Sequence, residues 1–145
     1  MGLDQMEPRQ ERPLLLSALC ILTFIGSGLT LFSNTVIYLM FDQFKNFFAS
    51  HPNMEFLGSK MDFSFIFHLN SLYFLSQGIF SGLAIAGAFL MWNLKKTGFH
   101  LYVTAQLILL ILPELFIPHL PFPFFQLSIS FLFVWFYYKH LPLMQ

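Results

Sequence analysis

The chain has 145 residues, of which 57% are hydrophobic and 10% are charged, and its formal net charge is zero. A soluble domain carries about 25% charged residues, and the 21 phenylalanines of so short a chain would leave large apolar patches in water. The composition therefore excludes a soluble globular enzyme, a disordered protein and a nucleic-acid-binding protein. We expect the lipid bilayer to be the main partner of this chain.

The charged residues form clusters, and the apolar segments between the clusters predict the transmembrane helices. A helix of about 20 apolar residues crosses a hydrocarbon core of roughly 30 Å, and in lipid a helix satisfies its own backbone hydrogen bonds. The sequence thus predicts an all-α fold, in which residues 1–145 form one polytopic membrane domain with a bundle of four transmembrane helices. The predicted helices cover residues 14–41, 64–94, 99–117 and 124–139, and the outer loop covers residues 42–63.

The first predicted helix follows Arg9 and Arg12. Its apolar run continues past the about 7–15 residues of a signal-peptide core, so we expect this helix to stay uncleaved. Small and polar residues share an arc of about 120° on it, and we expect this arc to pack on the second helix. The arc holds Thr23, Gly26, Ser27, Thr30, Ser33 and Asn34. The following segment, DQFKNFF, could extend the helix along the membrane surface before Pro52 breaks it.

The second predicted helix has one face of small and weakly polar residues and an opposite face of bulky apolar residues. The first face covers an arc of about 160° and holds Asn70, Ser71, Gln77, Gly78, Ser81, Gly82, Ala84 and Ala88. Gly78 with Gly82, and Ala84 with Ala88, form small-x-x-x-small pairs that let helix backbones approach closely. We favour packing inside the bundle as the role of this face, with a homodimer contact or a cavity as alternatives.

Pro118, Pro121 and Pro123 mark the turn between the third and fourth predicted helices, because proline lacks an amide donor. The distribution of Lys and Arg predicts that both termini are cytoplasmic. This prediction places five basic residues on the cytoplasmic side, Arg9, Arg12, Lys95, Lys96 and Lys139. It places two, Lys45 and Lys60, on the opposite side of the membrane. Aromatic residues next to these lysines are typical of the membrane–water interface. They are Trp92, Tyr102 and the run Trp135, Phe136, Tyr137 and Tyr138.

Glu114 is the one acidic residue inside an apolar segment, which makes it a candidate for function. Pro113 removes a helical hydrogen bond and frees a carbonyl beside it. Gln106 lies seven residues before Pro113 on the same helix face, and His119 follows five residues after Glu114. These groups could bind a proton, a cation or an amine, together with Asn70 and Gln77 of the second helix. Alternatively, Glu114 is an interfacial carboxylate that reaches water or pairs with His119.

Recognised catalytic signatures are missing from the sequence. It contains no H-E-x-x-H, no G-x-S-x-G and no phosphate-binding loop. Cys20 is the single cysteine, so the chain has no C-x-x-C pair, and its histidines lack the spacing of a metal site. The sequence therefore predicts a protein that is not an enzyme and that has no cofactor and no metal.

Two segments resemble small uncharacterised bacterial inner-membrane proteins with four helices. They are RPLLLSALCILTFIGSG at Arg12–Gly28 and MWNLKKTGFHLYVTAQ at Met91–Gln106. In such proteins an Arg-Pro or Lys-Pro pair opens the first helix, and a Lys-Lys-x-Gly turn joins helices two and three. The resemblance covers about a quarter of the chain, and its motifs concern membrane topology. It therefore implies a location in the bacterial inner membrane and carries over no activity.

These observations favour a small non-enzymatic membrane protein that acts as an accessory or structural subunit. Its partners would be a second copy or another membrane protein. The alternative is a small transporter or channel-like protein that uses the polar face of the second helix, Gln106 and Glu114. A cavity shared by Glu114, Asn70 and Gln77 would favour the alternative.

Overall fold

The computed structural model describes residues 13–51, 55–56, 59–60, 67–117 and 123–145. Five α-helices account for most of these residues. Their bounds are α1 Leu14–Leu39, α2 Phe41–Ser50, α3 Ser71–Trp92, α4 Lys96–Phe116 and α5 Phe124–His140. Two strands of two residues, β1 Glu55–Phe56 and β2 Ser59–Lys60, pair antiparallel, and a 3₁₀ helix, Leu141–Leu143, follows α5.

Three helices, α1, α3 and α4, are long and apolar enough to cross a membrane. A helix of 22 residues, the length of α3, extends about 33 Å at 1.5 Å per residue, close to the thickness of the hydrocarbon core. The chain is therefore a membrane protein with an all-helical fold. The fourth predicted span, α5, has 17 residues and extends about 25 Å.

The first nine residues of the predicted outer loop belong to α2, and they include the segment DQFKNFF that we considered as an extension of the first helix. Met40 interrupts the helical backbone between α1 and α2. Phe41 and Phe44, both on α2, pack on Phe74 of α3, with ring centroids 5.9 and 6.4 Å apart. Asp42 lies in the first turn, where a negative charge favours a helix. Aromatic packing thus stabilises a segment in which four phenylalanines alternate with polar and charged residues.

The observed helix ends differ from the predicted ones for local reasons. α3 begins at Ser71, because the side chain of Asn70 caps it by accepting a hydrogen bond from the backbone N–H of Leu72 at 3.2 Å. The predicted start at residue 64 lies outside the described residues. α4 begins at Lys96, three residues before the predicted start, and continues through Pro113 to Phe116.

Among the described glycines, the closest backbone contact joins α3 and α4, which run antiparallel. Gly87 and Gly98 lie where the two backbones cross. A Cβ atom built on Gly98 would lie 2.5 Å from the carbonyl oxygen of Gly87, and one built on Gly87 would lie 2.8 Å from the amide nitrogen of Tyr102. Only glycine permits this approach, so the two residues determine how closely the helices pack.

The described core lies on the same side of the bundle as the turn between α3 and α4. Its members come from α1, α3, α4, α5 and the C-terminal segment. They are Leu16, Leu19, Cys20, Ala84, Ala88, Met91, Tyr102, Ala105, Tyr137 and Met144. We call this side the lysine end, because Lys95, Lys96 and Lys139 all lie at helix ends there.

Helix α5 packs on the rest of the bundle mainly near its C-terminus. Tyr137 is fully buried, whereas Phe125 in the first turn is 81% exposed. The first half of α5 therefore stands away from α1, α3 and α4. This divergence leaves a cleft between α5 on one side and α1, α3 and α4 on the other.

Candidate functional site: a polar cleft between four helices

The cleft between α5 and the other three helices has a volume of about 370 Å³. Ligand sites in proteins typically occupy about 300–1,000 Å³. Uncharged hydroxyl and amide side chains make up much of the lining. The polar or small lining residues are Thr23, Gly26, Ser27, Thr30, Gln77, Ser81, Tyr102, Gln106, Gln126 and Ser130, and the apolar ones are Leu22, Leu109, Phe125, Ile129 and Phe133.

The floor of the cleft contains a hydroxyl group without a hydrogen-bond partner. Ser81 is 1% exposed, and its Oγ atom makes no hydrogen bond within the described residues. A buried hydroxyl without a partner costs free energy, and more so where no water is available. Ser81 Oγ would therefore gain a hydrogen bond if its side chain turned towards an occupant of the cleft.

Two glutamines line the cleft from neighbouring helices. Gln77 is buried on α3, and its Nε2 donates a hydrogen bond to the hydroxyl of Tyr73 at 3.3 Å. Gln106 on α4 accepts one from the hydroxyl of Ser130 on α5 through its Oε1 at 3.4 Å. Both bonds are long, and each amide retains capacity for further hydrogen bonds. An occupant could therefore bond to both amides.

Towards the lysine end, the cleft is backed by a buried cluster of two tyrosines. The hydroxyl of Tyr137 lies 2.9 Å from Thr23 Oγ1, and its ring packs edge-on against Tyr102 with centroids 5.0 Å apart. Beside them, the Cys20 thiol donates to the carbonyl of Ala88 at 3.6 Å. These residues hold the end of α5 against α1 and α4. They also fill the interior between the cleft and the lysine end.

The rim of the cleft is apolar, and the described residues leave it uncovered. Leu22 and Phe125 are both largely exposed, and a Cβ atom built on Gly26 would meet nothing within 4 Å. In a bilayer such surfaces contact lipid or another membrane protein. The cleft therefore combines a polar floor with an apolar opening towards the membrane.

The predicted site residues divide between the cleft and other places. Gln77, Gln106, Gly26 and Ser27 all line it. Asn70 instead caps α3 and is exposed. Glu114 is exposed and does not line the cleft, and His119 lies outside the described residues. The candidate group of Glu114, Asn70 and Gln77 is therefore not brought together in one cavity.

The residues predicted to pack helices have three different environments. Ala84 and Ala88 are fully buried in the core. Gly78 faces Leu31 and Thr35 of α1, each about 3.8 Å from a Cβ atom built on it. A Cβ atom on Gly82 would meet nothing within 4 Å, so this glycine makes no close helix contact among the described residues.

Tyr102 and Tyr137 correct a prediction, because we assigned both to the membrane–water interface. Both are buried, at 2% and 0% exposure. For Tyr102 a signal was available, since the buried residues of α4 recur at helical spacing. They are Gly98, Tyr102, Ala105, Leu109 and Leu112. For Tyr137 no such signal exists, because the consecutive aromatic residues around it point to every side of α5.

No protein-family model, curated protein or solved structure matches the chain. Within the described residues, no three His, Cys, Asp or Glu side chains lie close enough together to hold a metal ion.

Proposed function

We propose that the chain is a non-enzymatic accessory subunit, and that its polar cleft receives a transmembrane helix of another membrane protein. The observation that carries this proposal is the Ser81 hydroxyl, which is buried on the floor of the cleft and has no hydrogen-bond partner among the described residues. In lipid, hydrogen bonds between helices are a main source of specific association. A partner helix with one polar side chain at this depth would satisfy Ser81.

The length of the cleft suits the side chains of a helix that packs along its opening. Its lining on α1 extends from Leu22 to Thr30, a distance of about 12 Å, or two helical turns. Gly26 and Ser27 present little side chain there, which favours close backbone approach. The exposed first half of α5 offers a second wall.

A different protein fits the cleft better than a second copy does. Seating a helix of one copy in the cleft of the next would join two unlike surfaces. Such head-to-tail contacts produce rings or open chains unless a two-fold axis lets each copy seat a helix in the cleft of the other. We therefore propose a heteromeric partner, and a covalent adduct of two copies would count against it.

We expect Gly26→Leu to abolish the association, because its side chain would occupy the cleft. Gly28→Leu is the matched control, since Gly28 also has open space around its Cβ position but does not line the cleft. The measurement is photo-crosslinking from position 129, which lines the cleft. Position 131, which does not line the cleft, is the reference. Ser81→Ala should reduce the adduct about threefold, the effect of one interhelical hydrogen bond of about 0.6 kcal/mol.

Support would be a discrete adduct from position 129 that Gly26→Leu removes and Gly28→Leu preserves. Equal adducts from positions 129 and 131, or an adduct that survives Gly26→Leu, would contradict the proposal.

We also propose that α5 is a fourth span and that both termini lie on the cytoplasmic side of a bacterial inner membrane. The position of Lys95, Lys96 and Lys139 at one end of the bundle supports this orientation, since cytoplasmic segments are rich in Lys and Arg. The sequence resemblance supports the choice of membrane.

The topology predicts that reporters fused after residue 145 and within the turn at residues 93–95 behave alike. A fluorescent protein that folds only in the cytoplasm should be active at both positions, and alkaline phosphatase should be inactive at both. A fusion between residues 52 and 54 should give the opposite pattern. If the reporter after residue 145 matched the one at 52–54, α5 would not span the membrane.

The alternative proposal is a small transporter or channel-like protein. Its support is the cleft that Gln77 and Gln106 share. Glu114, the ionisable group that would bind an ion or substrate in this alternative, does not line the cleft. The buried pair Tyr102 and Tyr137 fills the interior beyond it. The accessory role is therefore the one that the geometry favours.

A further inference from the structure

A second cleft, of about 500 Å³, lies at the lysine end between the start of α4 and the end of α5. Two lysines and two amphipathic aromatic residues line it, together with two apolar residues of the 3₁₀ helix. The six lining residues are Lys96, Trp135, Tyr138, Lys139, Leu141 and Pro142. We call it the lysine cleft.

The walls of the lysine cleft are held in place by the C-terminal segment. The backbone N–H of Gln145 donates to the carbonyl of Leu94 at 2.7 Å, and the N–H of Lys96 donates to the main-chain oxygen of Gln145 at 2.9 Å. Met144 is buried in the core between them. These contacts join the segment after α5 to the start of α4, so Lys96 and Lys139 belong to one rigid unit.

The charge in the lysine cleft is uncompensated by its lining. No acidic residue is among the six, and the ammonium of Lys139 lies over the ring of Trp135, 5.3 Å from its centroid. Both lysines line the same cleft, so an anion placed in it would be attracted by two ammonium groups. The lysine cleft therefore favours an anionic ligand.

Most of the lining is apolar, so the cleft suits a ligand that carries an apolar part besides its charged group. Leu141 and Pro142 form one apolar wall, and Trp135 and Tyr138 present rings with polar tips. Such rings are enriched at the headgroup level of membranes. The cleft also lies at one end of three helices long enough to cross a bilayer, where the phosphates of lipid headgroups are found.

We propose that the lysine cleft binds an anionic phospholipid, with the phosphate between Lys96 and Lys139 and the glycerol and upper acyl chains against Trp135 and Leu141. This proposal is independent of the partner helix proposed above, because the two clefts share no lining residue. A bound lipid would fix the depth of the lysine end in the membrane. It would also make the behaviour of the protein dependent on lipid composition.

The experiment measures phospholipid binding to the full chain in detergent by native mass spectrometry. Phosphatidylglycerol should bind more tightly than phosphatidylcholine. The double variant Lys96→Gln/Lys139→Gln should weaken phosphatidylglycerol binding about 25-fold, since each lysine near an anionic lipid contributes roughly a factor of five. The matched control, Lys45→Gln/Lys95→Gln, also removes two positive charges, but neither residue lines the lysine cleft, so binding should change little.

Three results would overturn the proposal. One is equal binding of phosphatidylglycerol and phosphatidylcholine by the unmodified chain, a comparison that needs no variant. Another is an equal loss of binding in the control variant, which would indicate a general effect of net charge. The third is complete competition by millimolar inorganic phosphate, which would assign the cleft to a soluble anion.

Discussion

Replacing Gly87 by alanine is expected to lower the free energy of unfolding by about 1–3 kcal/mol, the usual cost of overpacking a filled interior. The added methyl group would lie 2.8 Å from the amide nitrogen of Tyr102 and 2.9 Å from the carbonyl oxygen of Gly98. Both atoms belong to the backbone of α4, so no side chain can move aside. The helices would have to separate along the contact that holds α3 and α4 together.

Gly82→Ala is the matched control in the same helix, because its methyl group would meet nothing within 4 Å. Alanine is the better helix former by up to about 1 kcal/mol, so this variant should be as stable as the unmodified protein or more so. Both variants would be compared by thermal and denaturant unfolding in one detergent. Equal stability of the two variants would refute the close glycine crossing.

Replacing Tyr137 by alanine is expected to release α5 from the bundle and to destabilise the protein by about 3 kcal/mol. This value is at the lower end for truncating a large buried aromatic residue, since lipid chains can replace part of the lost apolar contact. Tyr137 is fully buried, lies 2.9 Å from Thr23 and packs on Tyr102. It is the only fully buried residue of α5, whereas Phe133, Val134 and Phe136 pack against the same core only partly buried.

Tyr138→Ala tests the same change one residue away, where the side chain is 62% exposed, and it should cost well under 1 kcal/mol. Tyr137→Phe keeps the ring but removes the hydroxyl, and it should cost about 0.6 kcal/mol, the mean of a hydrogen bond between membrane helices. Unfolding in detergent and the rate of proteolysis within α5 are the measurements. If Tyr137→Ala and Tyr138→Ala behaved alike, the anchoring role of Tyr137 would be wrong.

Hydropathy and charge clustering were sufficient to predict the class of the protein. The clusters that begin at Asp42 and Lys95 separate the long helices, and three of these satisfy the length and apolarity of a membrane span. The face of α3 with Gln77, Gly78, Ser81 and Ala84 contains residues that the structure buries. Periodicity reveals such a face because a polar stripe in an apolar helix avoids lipid.

The local environment of Glu114 and Tyr137 could not be read from the sequence. Glu114 was selected because acids are rare in apolar segments, yet it lies in the exposed last turn of α4. Tyr137 was assigned to the interface because it lies beside Lys139. Its burial depends on where Thr23 of α1 lies, more than 100 residues away in the chain.

The sequence by itself determined that this chain lies in a membrane, where its long helices run and which face of α3 avoids lipid. These properties follow from the transfer of side chains between water and lipid, which acts on each segment separately. The tertiary structure decided which apolar faces touch protein, that α5 is anchored near its C-terminus, and that Gln77, Ser81 and Gln106 share a cleft. Lipid and protein interiors are equally apolar, so hydropathy cannot distinguish them, and packing between distant segments makes that choice.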